Sequence, residues 1–127
     1  MSTYVRFQTQ LRCRWTNRPA GVFAAAGHLE DSANIPDGTR ELLDQHLKWF
    51  NKNLAVPALD DYGWRCLFWF RSDAKELIER IWDLAAILRD EGVFVRKVWT
   101  TDPGRVIYRD KHQIGAVPDK KTIALRV

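Results

Sequence analysis

From Tyr4 to Trp15 the chain alternates without a break: Val5, Phe7, Thr9, Leu11, Cys13 and Trp15 take turns with Arg6, Gln8, Gln10, Arg12 and Arg14. A period of two belongs to a strand and fits no helix, so this stretch predicts a β-strand with one side buried and one side wet. A strand this long is stable only when its edges are paired and its apolar side is covered. The sequence therefore demands a sheet with a layer packed on it.

The rest of the chain supplies both. Gly21 to Leu29 is alanine-rich, with Val22, Phe23, Ala26 and Leu29 at helical spacing, and predicts a short helix. Ile35-Pro36-Asp37-Gly38 is turn chemistry, after which Thr39 is placed to cap a helix ending near Asn53, with Leu43, Leu47, Phe50 and Leu54 as its stripe. Trp64 to Phe70 is apolar on both alternating faces, the pattern of a central strand covered on both sides. Ser72 stands where it can cap a helix over Asp73–Glu91, and Gly92 offers the left-handed stop. Strands are expected over Val93–Trp99, Arg105–Arg109, His112–Val117 and Thr122–Val127, with a turn at Asp110-Lys111. The unit strand 64–70, helix 73–91, strand 93–99 is expected to make a right-handed crossover if its strands run parallel. No repeat, linker or domain boundary interrupts the 127 residues. The expectation is one α+β domain over residues 1–127: a mixed or antiparallel sheet of four to six strands with two or three helices on one face.

Composition narrows the class. An apolar share of 46% excludes disorder, and two cysteines, Cys13 and Cys66, form neither a scaffold nor a Cys-x-x-Cys pair, which points to a reducing compartment, the cytoplasm. The arginine-bearing, alternating start lacks the apolar core of a secretion signal, and no apolar run approaches the length of about 20 residues that spans a bilayer. A soluble protein without membrane contact is expected.

The net charge of +4 is unevenly spread. Residues 1–20 hold Arg6, Arg12, Arg14 and Arg18 and no acid. Gly92–Val127 hold eight bases against three acids, and Asp73–Glu91 three bases against six acids. If the basic ends meet in a sheet, Arg6, Arg12, Arg14, Lys97, Arg105, Arg109 and Lys111 make a basic face able to attract an anionic partner; the plainer alternative is a solvated face kept soluble by its charges.

Catalytic signals are sparse. His28, His46 and His112 fall in no metal pattern, and no nucleophile elbow, phosphate loop or dinucleotide fingerprint is present, so neither a metal nor a cofactor is expected. Cys13 lies on the apolar face of the first strand and Cys66 inside the central one, and both read as small hydrophobes. The most site-like cluster is the hairpin around Tyr108, Asp110, His112 and Gln113, where an Asp–His or Tyr–His pair offers acid–base chemistry, although the same residues are ordinary in a turn. Arg105 and Arg109, an even number of positions apart, are expected to share one side of their strand and Tyr108 to take the other. Six tryptophans are present. Trp49, Trp64 and Trp99 lie at predicted element edges, where an exposed ring beside arginine would anchor a partner, though core positions suit most of them.

The blocks Val22-Phe23-x-Ala-Ala, Trp49-Phe50-Asn51-x-Asn53-Leu54-x-Val56-Pro57, Phe68-Trp69-Phe70 and Pro103-Gly104-x-x-x-Tyr108-x-Asp110-x-x-Gln113 resemble those of small uncharacterised proteins widespread in bacteria. The likeness spans about Gly21 to Pro118. It implies a bacterial, cytoplasmic, single-domain protein and carries no activity.

Three functions compete. The first is a non-catalytic interaction or regulatory protein binding a protein partner or a second copy, from the tryptophan and arginine content. The second is a nucleic-acid binder using the basic face, without a helix-turn-helix, RNA-recognition or zinc-finger signature. The third is an enzyme built on the 105–113 hairpin.

Overall fold

The alternating stretch forms the centre of the sheet. The computed structural model describes residues 2–12, 19–55, 66–119 and 125–126, and in it β1 runs from Tyr4 to Arg12. The predicted continuation to Trp15 lies outside the described residues. The other elements are β2 (Pro19–Gly21), α1 (Val22–Glu30), α2 (Asp37–Asn53), β3 (Leu67–Arg71), α3 (Lys75–Asp90), β4 (Val95–Thr100), β5 (Arg105–Arg109), β6 (Gln113–Val117) and β7 (Leu125–Arg126). The sheet order is β5-β6-β3-β1-β4-β7, every pairing is antiparallel, and short β2, absent from the sequence reading, pairs with β1. The fold is a single-domain α+β arrangement.

β3 and β4 both run antiparallel to β1 and flank it, so they are parallel to each other with β1 between them. The expected crossover is thus split: α3 carries the chain over β1 rather than between neighbours. The opposite edge of β4-paired β1 is shared, β3 taking Tyr4 and Val5 and β2 taking Gln8 and Arg12. The two partners leave a gap at Arg6. There the Arg6 guanidinium donates to the Phe68 carbonyl at 3.2 Å, standing in for a ladder bond.

Alternation separates two cores. Val5, Phe7 and Phe70 join Val22, Leu43, Phe50, Ile81, Leu84 and Leu88 in a cluster under the three helices. Tyr4, Trp69, Val98, Ile114 and Ala116, on the other side of the sheet, form a second cluster to which no helix contributes. Expected burial on both sides of β3 is thereby met, Phe70 facing one cluster and Trp69 the other. The supposedly wet side of β1 is drier than its sequence suggests, because Tyr4 is buried and Arg6 half-buried.

Two helix starts differ from expectation. α2 begins at Asp37 after Pro36, whose fixed φ of −61° and extended ψ set the entry, and the Thr39 hydroxyl turns instead to Glu91 at 3.4 Å. α3 begins at Lys75 because residues 71–74 close a turn first, Ala74 N–H donating to the Arg71 carbonyl, so Ser72 caps nothing. Two expected ends hold: Asn53 finishes α2, and Gly92, at φ 83°, ends α3 in the left-handed conformation that a side chain resists.

Candidate functional site

The 105–113 hairpin is where sequence placed acid–base chemistry, and its geometry is that of a lock. The Asp110 carboxylate accepts from the Tyr108 hydroxyl (2.7 Å) and Gln113 Nε2 (3.1 Å) on one oxygen, and from the His112 and Gln113 backbone N–H groups (2.8 and 3.0 Å) on the other. Four donors fill the roughly four lone-pair positions of a carboxylate. Buried Gln113 also donates to the Ala55 carbonyl at 2.7 Å, tying the hairpin to the end of α2.

The protonation behaviour agrees. Burial pushes the Asp110 carboxyl up, but the hydrogen bonds from Tyr108, His112 and Gln113 outweigh it and hold the group below the usual carboxylate range. The same bond to Asp110, then burial, raises the Tyr108 hydroxyl above its ordinary value. The carboxylate is held ionised and the phenol neutral, each already hydrogen-bonded to the other. The His112 ring lines a separate open cavity of about 380 Å³ with Arg71, Lys75, Lys111, Asp73 and Glu76, where Arg71 is already paired through two bonds to Asp73 (3.2 and 3.1 Å). Ala74 and Leu77 complete the lining, so the cavity mixes both signs of charge with apolar surface.

The basic face is rearranged by register. Lys97 stands opposite Phe7 and so lies on the helix-bearing side, away from Arg6, which stands opposite Val98. Arg105 faces Val117 and Arg109 faces Ile114, residues on opposite sides of β6, because a bulge between Val106 and Tyr108 inserts one residue and inverts the alternation. Arg105 and Arg109 are therefore on different faces, and it is Arg105 that shares a side with Tyr108. Arg12 lies exposed at the end of β1, Lys111 lies exposed in the turn, and Arg14 is outside the described residues.

What sequence reasoning missed is Arg96 and Phe94. Arg96 stands opposite Gln8, on the side that carries no helix, and is exposed. Phe94, just before β4, is 65% exposed, more than any other large apolar side chain among the described residues. It is held firmly all the same. Gln10 accepts from the Phe94 N–H through Oε1 and donates to the Gly92 carbonyl through Nε2, both at 2.9 Å, while neighbouring Val93 is buried. Gln8, Thr9, Gln10, Phe94 and Arg96 line a shallow groove of about 240 Å³. The signal was present in the alternation, since Phe94 has the parity of Arg96 rather than that of core-facing Val95 and Trp99.

The tryptophans considered as anchors are otherwise used. The Arg80 guanidinium lies 4.5 Å above the Trp49 ring, Trp99 packs on the helix-side core, and Trp64 is outside the described residues. Trp82, 39% exposed, rests edge-on against Phe7. The Cys66 thiol is pushed up by burial, against the lowering charge of Arg6, as suits a packing residue. Among the described residues no cluster of three His, Cys, Asp or Glu exists that could hold a metal ion, and no helix is long and apolar enough to cross a membrane. No protein-family model, no curated protein and no solved structure matches the chain.

Proposed function

We propose that this is a non-catalytic interaction protein of a reducing, bacterial cytoplasm, docking a protein partner at the Phe94 groove. One observation carries the reading: a large aromatic ring, 65% exposed, whose backbone is clamped on its own sheet by both ends of the Gln10 amide. A rigid exposed aromatic beside an arginine is the residue pairing found at binding hot spots, and pre-ordering removes part of the entropic cost of association. The groove, at about 240 Å³, is smaller than the 300–1,000 Å³ typical of small-molecule sites and suits one inserted side chain. The enzyme reading is weakened, because three of its four candidate residues, Tyr108, Asp110 and Gln113, are hydrogen-bonded to one another within the hairpin.

Nucleic acid is the second reading, favoured by Arg6, Arg12, Arg96 and Arg109 on one side of the sheet. Against it, among the described residues that side offers a single exposed aromatic and no continuous track of cations: Arg6 is half-buried on Phe68, and Lys97 and Arg105 face the other way.

The test places a photoreactive phenylalanine at position 94, identifies the crosslinked protein from native cells, and measures the purified pair. Phe94→Ser should weaken that complex at least tenfold with unchanged thermal stability. Equal affinity, or the absence of any adduct, overturns the proposal. Titration with single- and double-stranded oligonucleotides across a salt series separates the second reading, since phosphate contacts give affinity that falls steeply with salt.

A further inference from the structure

The side of the sheet that bears Phe94 carries arginine. Register and alternation place Arg6, Arg12, Arg71, Arg96 and Arg109 on it, and no described strand residue on either side of the sheet is Asp or Glu. These five are all arginine, although lysine is available elsewhere in the chain. Arg71 is paired with Asp73 in the following turn, and Arg6 is occupied at the Phe68 carbonyl. Arg96 is the one that reaches the groove, exposed, opposite Gln8 and two residues from Phe94. The acids nearest in sequence, Asp90 and Glu91, end α3, and Glu91 is turned toward Thr39 on α2.

We infer that the partner segment seated at Phe94 is acidic: an extended stretch in which an apolar side chain lies on the Phe94 ring and a neighbouring carboxylate is forked by the Arg96 guanidinium. The inference rests on the protein-binding reading above and adds the chemistry of the partner. A guanidinium donates two parallel bonds to one carboxylate, a match in geometry as well as charge. A one- or two-residue step along an extended peptide covers about 3–7 Å, so adjacent or alternate positions suffice to meet Phe94 and Arg96 together. A second copy of this chain offering the same surface is disfavoured, because its described strands hold no acid to meet Arg96. The clamp from Gln10 pins the main chain at Phe94, two residues before Arg96, before any partner arrives.

The test is selection of random dodecapeptides displayed on phage against the full chain, with depletion on the Phe94→Ser variant, followed by fluorescence anisotropy of the enriched peptides. The expected result is enrichment of peptides pairing Asp or Glu with an apolar residue. Their affinity should fall at least tenfold in Phe94→Ser and in Arg96→Glu, and partly recover in Arg96→Glu when the peptide's acid is replaced by lysine. Phe94-dependent peptides without acid enrichment, or an Arg96→Glu variant that binds as wild type, overturn the acidic inference and leave the protein-binding reading in place. Absence of any Phe94-dependent peptide overturns both. In parallel, a labelled twelve-nucleotide oligothymidylate is titrated. Tight, salt-sensitive binding lost in the same two variants assigns the groove to nucleic acid and overturns the inference.

Discussion

Replacing Asp110 with alanine measures how far the hairpin is a structural lock. The substitution leaves two backbone N–H groups, the Tyr108 hydroxyl and one Gln113 amide hydrogen without their acceptor. A hydrogen bond to a charged group is worth about 1.5–3 kcal/mol, but the carboxylate is only partly buried and water replaces some of the loss. The total expected is therefore about 2–3 kcal/mol rather than the sum of four bonds. With a urea m-value of about 1–3 kcal/mol/M, the unfolding midpoint followed by tryptophan fluorescence should fall by about 0.7–3 M at unchanged m. The pH dependence supplies an internal control. Asp110 has a folded pKa below its unfolded value of about 3.9, so its contribution is fully present above that value and is lost as pH falls through the folded pKa. Wild type and variant should therefore differ near neutrality and converge in strong acid. A midpoint shift below about 0.3 M, or a variant more stable than wild type, refutes the lock; the latter is the signature of a residue kept for function at a cost in stability.

Asp110→Asn retains an acceptor for the two backbone N–H groups and should lose only about 1 kcal/mol by the same denaturation assay. Gly115→Ala places a Cβ 2.8 Å from the Cys66 sulfur and 3.2 Å from the Phe68 ring, and overpacking of this kind should cost about 1–3 kcal/mol, read as a lowered midpoint. Gln10→Ala should leave the fold intact while speeding hydrogen exchange at the Phe94 amide, which would lose its acceptor; unchanged exchange would remove the clamp from the argument. Tyr108 has a raised folded pKa, so its bond to Asp110 contributes below the ordinary tyrosine value and is lost as pH rises through the folded one. Tyr108→Phe should accordingly flatten the alkaline end of the stability profile.

The fold was legible where the signal was periodic. Alternation over Tyr4–Arg12, two-sided apolarity in β3 and the glycine at the end of α3 each report a local physical requirement, and each element formed where its pattern lies. The helix starts were misread because capping residues advertise only what a side chain can do. Thr39 and Ser72 can both cap, but a proline entry and a preceding turn had already set where each helix begins. The shared sides of the basic residues were misread for a sharper reason. A strand's facing is decided by parity, and parity survives only while the ladder is regular. One inserted residue between Val106 and Tyr108 separates Arg105 from Arg109, and nothing in Arg-Val-Ile-Tyr-Arg announces it. Lys97 required the register of β4 on β1, which sequence does not carry. The side chains of Tyr108, Asp110 and Gln113 meet in one hydrogen-bond network, and its character depended on counting donors around one carboxylate, which requires coordinates.

The same counting separates the two parts of the molecule that looked functional. In the hairpin both carboxylate oxygens of Asp110 are satisfied from within the chain and the network ends on the Ala55 carbonyl, so these side chains account for one another. At the Phe94 groove the internal bonds run the other way. Gln10 spends both ends of its amide on fixing the backbone of a ring that the fold leaves in solvent. Exposing that ring gains no core burial, and a polar side chain at position 94 would keep the same clamp, since the clamp engages only the main chain. Local stability therefore explains Gln10 but not the phenylalanine it holds. The fold specifies the backbone at position 94 and not its side chain, and the proposed partner is what would account for the phenylalanine.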